Sequence, residues 1–452
     1  MRKLSKIFRI LLYILPAVLF FSYYPIISFG SSETMNFELS LPLLWLVVFD
    51  IVALVISIHQ REFSFFRKWK WLVFPIFATI SLIWTENITR GVLTCGILWL
   101  IVFAIYSILR FRKIFYDERG FSCVFLKFLF GPALFICAWC ALQCVLDVIG
   151  VSREYTLLCQ GCVYGAFGFP HPNGFAIEPQ FMGNLLLAPT LVAGWLMLHS
   201  KKYYTGLFFV LAMTLFLTFS RGAIYAFGVA MIFMSVALLV KKIGFKKIAM
   251  MWGMVIFSFL FALNAQGILA QVSPTNDTYT SGVSKVLNHL SLGIIDVRGE
   301  IGTESVNNDV VVENEATFDG YVAESTDIRV ELTNNAVKVW SQDFKTIMLG
   351  VGIGGAGQAM YNAGLTGSPK EIVQNEYASL LLETGLIGIF LVILMLVMIV
   401  KIIRKNPMNI IFFTLMVAYG ISLLFFSGFA NALQIYLLLP ALYIVLRKKL
   451  VS

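Results

Sequence analysis

Apolar residues along this chain come in long unbroken blocks, not in the alternating or three-and-four spacing of half-buried soluble elements. The blocks fall near 9–29, 40–58, 71–85, 91–109, 122–149, 177–198, 204–219, 222–240, 246–264, 377–402, 409–427 and 430–446. A hydrocarbon core about 30 Å thick takes roughly 20 such residues as a helix. The pattern predicts an all-α polytopic integral membrane protein with about twelve transmembrane helices. The 71–85 block is short for a span and the 122–149 block is long. Between helices nine and ten the blocks stop for more than a hundred mostly polar residues. The chain therefore divides into a membrane region 1–264 with about nine helices, a loop 265–376, and a membrane region 377–452 with about three.

Charge orients these helices. Lys and Arg gather in every second gap: Arg2, Lys3, Lys6 and Arg9; Arg61, Arg67, Lys68 and Lys70; Arg110, Arg112, Lys113 and Arg119. The series goes on through Lys201 and Lys202; Lys241, Lys242, Lys246 and Lys247; Lys401, Arg404 and Lys405; and Arg447, Lys448 and Lys449. By the positive-inside rule both termini are expected to be cytoplasmic and the 265–376 loop extracytoplasmic. An even number of spans agrees with that. No cleavage pattern follows the first apolar run, so that run reads as a retained helix.

With 59% hydrophobic residues and a mean hydropathy of +0.84, the composition lies far from that of soluble domains. The net charge of +9 belongs to a basic rim suited to anionic lipid headgroups, so nucleic acid is not an expected partner. The loop is acidic instead, with fourteen Asp and Glu against six Lys and Arg from 277 to 376. Of the seven cysteines, Cys159 and Cys162 fall in an outer gap where a disulfide can form. Neither Cys-x-x-Cys pair has a second pair or a His cluster at zinc spacing, so no metal site is expected. No internal repeat of the kind found in many secondary transporters is evident.

The long loop becomes helical in character after residue 326, where Ile328, Val330, Leu332, Ala336, Val339 and Trp340 make an amphipathic stripe. Residues 346–360 are apolar but broken by five glycines, which suits a re-entrant or surface-lying element. The second largest outer gap, 150–176, ends in Phe-Gly-Phe-Pro-His-Pro-Asn-Gly (167–174), dense in turn residues.

Several residues could carry chemistry. Arg221, in Phe-Ser-Arg-Gly (219–222), puts a guanidinium between two apolar runs. A charge there is costly enough to suggest function, although an interfacial Arg that snorkels is an equal reading. A guanidinium fork suits phosphate. Arg329 in the loop is a second such clamp or a solvated surface charge. Gly352, Gly354 and Gly355 permit close backbone approach to a ligand, but no strand–turn–helix context supports a dinucleotide fold. Gln374, Asn375 and Glu376 stand at the mouth of the tenth span, with Glu383 two turns further along the same face. Glu376 is a candidate base toward a sugar hydroxyl, or a carboxylate stabilised at a helix N-terminus. His171 and Glu178 flank the sixth span as further proton handlers; His171, between two prolines, also reads as a turn residue.

Taken together, Ser-Arg-Gly (220–222), the long outer loop, Gly-Val-Gly-Ile-Gly-Gly (350–355) and Gln-Asn-Glu-Tyr-Ala-Ser-Leu-Leu-Leu-Glu-Thr-Gly-Leu-Ile-Gly (374–388) resemble the O-antigen ligase/polymerase superfamily. The matching motifs cover roughly 200–395. The resemblance implies a metal-independent glycosyltransferase of the cytoplasmic membrane of a bacterium, without cofactor, acting at the outer face on undecaprenyl-pyrophosphate-linked oligosaccharides. Membrane lipids, a chain-length regulator and a flippase are its expected partners. By motif position it makes Arg221 and Arg329 the pyrophosphate-binding arginines; Glu376, or else Glu178, is the carboxylate expected to deprotonate the acceptor. Gln374, Asn375, His171, Glu178 and the three glycines are then substrate contacts. Ligases carry His before Asn where this chain has Gln374, and an amide cannot take a proton as imidazole can. That favours a polymerase making O-antigen or capsule. A ligase transferring glycan to lipid A-core, and a polysaccharide exporter or flippase, are the alternatives.

Overall fold

The computed structural model of the chain describes residues 2–21, 25–29, 37–61, 65, 72–116, 120–199, 203–242, 244–274, 278–292, 318–404, 409–429 and 432–449. Each of the twelve apolar blocks contains a helix: α1 (Arg2–Leu19), α2 (Leu41–His59), α3 (Val73–Ile80), α4 (Ile88–Arg110), α5 (Phe121–Val148) and α6 (Pro179–His199). After these come α7 (Tyr203–Leu217), α8 (Arg221–Val240) and α9 (Phe245–Val272). The excursion between the blocks holds α10 (Tyr279–Leu290), α11 (Phe318–Trp340), α12 (Phe344–Leu349) and α13 (Ala356–Asn362). The last three are α14 (Glu376–Arg404), α15 (Asn409–Ser422) and α16 (Leu433–Lys449). Seven described helices, α2, α4, α5, α6, α8, α9 and α14, are long and apolar enough to cross a membrane. The protein is a polytopic, predominantly helical membrane protein.

The details depart from the block pattern in four places. An antiparallel hairpin, β1 (Pro25–Phe29) with β2 (Phe37–Ser40), stands before α2, so the chain is not wholly α. The 71–85 block forms only α3 and a 3-10 turn, Ser81–Ile83, ending where Asn87 caps α4 through the Arg90 N–H (3.0 Å). Helix α9 continues past 264 to Val272, because Gln266 and Ala270 find buried surroundings against the loop before α6 and against α10. Helix α11 starts at Phe318, earlier than its apolar stripe suggests.

Helix α6 is the axis of the bundle. Every side chain from Met182 to Leu198 is buried, packed by α5, α7, α8 and α15. Helices α2, α8, α9 and α14 instead leave one face of large aliphatic and aromatic side chains exposed, among them Ile51, Ile232, Phe257 and Phe390. In lipid such a face costs nothing.

Helix α14 is broken. Gly385 takes φ 61°, ψ −169°, which interrupts the helical ladder and frees upstream carbonyls. Two of them are taken by the glycine run: the Val351 N–H donates to the Leu382 carbonyl (2.9 Å) and the Gly352 N–H to that of Glu383 (3.0 Å). A Cβ on Gly350 would lie 2.4 Å from the Glu383 backbone, and one on Gly385 2.5 Å from that of Met348. On its other side the run meets the end of α3. The Thr85 hydroxyl donates to the Ile353 carbonyl (2.8 Å) and the Ile353 N–H to the Ser81 hydroxyl (3.1 Å). The Gly-rich stretch is thus a buried plug joining α3, α4 and the α14 kink.

Candidate functional site

The site is built around the turn from α7 into α8. The Thr218 hydroxyl closes α7 on the Leu215 carbonyl (2.7 Å), and Phe219 adopts the left-handed region, φ 47°. Ser220 then caps α8 on the Ala223 N–H (3.4 Å), leaving Arg221 as the first helical residue, only 8% exposed. Gly222 is required by crowding, since a Cβ there would stand 2.8 Å from that of Phe425. The N-terminus of a 20-residue helix, the positive end of its dipole, thus begins at Arg221 itself.

A second wall comes from the segment between α5 and α6. Buried Gln143 of α5 clamps it: its amide donates to the Thr156 (2.8 Å) and Gly174 (3.1 Å) carbonyls and accepts from the Gly174 N–H (2.9 Å). Cys159 and Cys162 form a disulfide, and the Cys162 carbonyl accepts the His171 N–H (2.9 Å). This framework delivers His171, and then Glu178 at the start of α6.

The excursion closes the site. The Tyr225 hydroxyl of α8 donates to the Leu290 carbonyl (2.7 Å), holding the end of α10 over Phe219. His289 Nε2 then faces the Phe219 carbonyl at 3.2 Å. From α11, an Arg329 Nη2 donates to Gln180 Oε1 (3.0 Å), while the Gln180 amide donates to the Phe425 carbonyl. Arg221 and Arg329, over a hundred residues apart, line one cavity of about 530 Å³ with His171, Glu178, Gln180, Ser220, His289 and Gln374.

Arg221 and Arg329 bring positive charge to this cavity, and its histidines are held neutral chiefly by burial. Burial, His289 and Arg221, in that order, hold His171 well below the usual imidazole range. Burial and then Arg221, with a smaller push from Arg329, lower His289 to about 4, against the upward pull of its Phe219 carbonyl contact. Two guanidiniums, a helix N-terminus and two neutral imidazoles make a receptor for a compact polyanion.

Other expected site residues lie elsewhere. Glu376 is buried and its Oε2 accepts the Gly428 N–H (2.7 Å); it borders a separate apolar cavity of about 490 Å³ between α4, α14, α15 and α16. Asn375 caps α14, its Oδ1 accepting from the Tyr377 (3.1 Å) and Ala378 (3.2 Å) N–H groups. Gly352, Gly354 and Gly355 face Thr85 and Gly91 inside the plug, away from the cavity. Glu383 sits against the Gly354 and Ala356 N–H groups and near Arg90. Two cavity residues escape a motif reading. Gln180 is one; His289 is the other, its only sequence signal being that it shares a buried face of α10 with Gly282 and Val286.

No curated protein and no solved structure matches this chain. Residues 206–393, which contain Arg221, His289, Arg329, Gln374 and the glycine plug, match the model of a family described as O-Antigen ligase, which supports the resemblance to the O-antigen ligase/polymerase superfamily.

Proposed function

We propose that the protein is a bacterial membrane polymerase of undecaprenyl-pyrophosphate-linked oligosaccharides, its cavity open at the extracytoplasmic face. The observation that carries this reading is the meeting of Arg221 and Arg329 in one cavity of a size to take a pyrophosphate and its first sugar. The hydroxyl oxygen of an acceptor unit attacks the anomeric carbon of the donor. The bond from that carbon to the pyrophosphate oxygen breaks, and its electron pair leaves with the lipid pyrophosphate. Arg221, the α8 N-terminus and Arg329 stabilise the charge that grows on this oxygen. Glu178, the exposed carboxylate of the cavity, takes the proton of the acceptor hydroxyl and passes it to water. Much of the rate then comes from holding two substrates in register, since the leaving group is already activated. The apolar cavity beside α14 is matched to an isoprenoid chain.

Transfer to a terminal acceptor is the second reading, favoured by the description of the matching family. The presence of Gln374 rather than His in the cavity is the reason to prefer polymerisation. The test is a deletion strain complemented with Arg221→Lys or Arg329→Lys, scored by the glycan ladder. A lysine keeps the charge and loses the fork, so each variant should shorten chains strongly while single units still reach the surface. Normal ladders from both variants would remove the pyrophosphate assignment. Loss of all glycan from the final acceptor would install the ligase reading instead.

A further inference from the structure

Two histidines line the arginine cavity. The His171 and His289 rings stand 5.3 Å apart, centroid to centroid, at 72° to one another. Phe169 stacks on His171 at 4.8 Å and meets His289 edge-on at 6.0 Å, and Phe219 packs on His171 at 5.6 Å. The Phe219 carbonyl facing His289 Nε2 assigns the proton of the neutral ring to Nε2, which leaves Nδ1 as the basic atom. The strained backbone at Phe219 thus serves both Arg221, by starting α8, and His289, by offering it a carbonyl.

We propose that His171 and His289 form a single proton-binding site coupled to the anion: the pair is neutral without a ligand and takes up one proton as a pyrophosphate settles between Arg221 and Arg329. This rests on the pyrophosphate reading of the cavity. The protonated pair becomes a third cation on the anion, present only while the anion is there.

The physical basis is the sign of each neighbour. Arg221 acts against protonation of both rings and Arg329 against that of His289, in surroundings that already penalise charge. A bound pyrophosphate offsets both guanidiniums and adds its own attraction for a proton, so proton affinity must rise on binding. The other charged groups around the pair do not reverse this. Glu178 also lines the cavity, and the sign of a carboxylate there would favour protonation. Lys285 lies one turn earlier on α10 with its side chain against Gly168. Helix α9, packed along α10, has as its charged residues only Lys246 and Lys247, at its far end. A second proton would place like charges on adjacent rings, which limits uptake to one. By linkage, proton uptake on binding means that the anion is held more tightly as pH falls toward the range of the empty site. Release of the pyrophosphate returns the pair to neutrality.

The chain has four histidines, so ring-¹⁵N-histidine labelling of the full-length protein in detergent gives four resolvable rings, His59, His171, His199 and His289. His171→Gln and His289→Gln assign the two of interest. The probe is farnesyl pyrophosphate, with binding followed independently by its ³¹P signal. At saturation, the titration midpoint of the pair should rise by about one pH unit or more, a tenfold gain in proton affinity. Arg221→Gln should raise both midpoints with no ligand present, which checks the coupling if a histidine variant fails to fold. Saturable binding with unmoved ring titrations would overturn the inference and leave the pyrophosphate site standing. Absence of saturable binding would take down the site and the inference together.

Discussion

Position 374 and position 221 face the same cavity with different chemistry, and that difference can be measured. Gln374 is exposed there and can offer one neutral hydrogen bond. Losing it should cost at most about 1–3 kcal/mol, the range for leaving a buried polar partner unpaired, or roughly a five- to 150-fold fall if all of it falls on the transition state. Arg221 is buried at a helix N-terminus; in the proposed mechanism its charge meets an oxygen that becomes more negative as the bond breaks. Arg221→Ala should therefore be the more damaging change in initial rate with purified lipid-linked substrate. An inactive Gln374→Ala beside a nearly normal Arg221→Ala would return the chemistry to position 374 and with it a ligase-like mechanism. The arginines could be read from the sequence because a lone charge between two apolar runs demands an explanation. Glu376, which borders the other cavity, is the opposite case. Its partner is a backbone N–H 52 residues away, and nothing local announces that a carboxylate will be spent on fastening a chain segment.

At the scale of elements, the glycine plug and the α14 kink act as one joint. Gly385 sits in a backbone region open essentially to glycine alone, and its missing side chain is where the Met348 backbone passes. Gly385→Ala should lose about 2 kcal/mol or more, seen as a lower thermal midpoint in detergent. Gly96→Ala is the control: it lies exposed in α4, with nothing within 4 Å of the added methyl, and should match or exceed the wild type. Equal midpoints for the two variants would show that the kink is not held as described. So many glycines in sequence mean close approach of backbone, without saying to what. The true partners are backbone atoms of 81–91, some 270 residues earlier, and of 382–385. A pairing at that distance leaves no periodicity to read.

Over the whole molecule, the helices were legible because hydrocarbon demands unbroken apolar runs, whereas the folded interior of the 265–376 excursion was not, because helices in water announce themselves only by weak stripes. The charge pattern joins the two scales. Along α8, Arg221 opens the helix at the cavity and Lys241 and Lys242 follow its last residue, so at 1.5 Å per residue the two ends lie about 30 Å apart. Helix α9 begins again with Lys246 and Lys247 and returns to the cavity side, where α10 starts. If the basic end is cytoplasmic, everything that lines the cavity is on the other face, where a lipid-linked glycan carries its sugars. Exposed positions at the two ends make this testable: Gln342, after α11, and Lys242. The background needs one change, Cys123→Ala, since the remaining free cysteines are buried and Cys159 and Cys162 are joined to each other. Gln342→Cys should react with an impermeant maleimide in intact cells, permeabilised first if an outer membrane is present. Lys242→Cys should react only after lysis. The reverse pattern would turn the cavity toward the cytoplasm, where a polymerase of exported repeat units has no substrate, and would end the proposed function even if both arginines bind pyrophosphate.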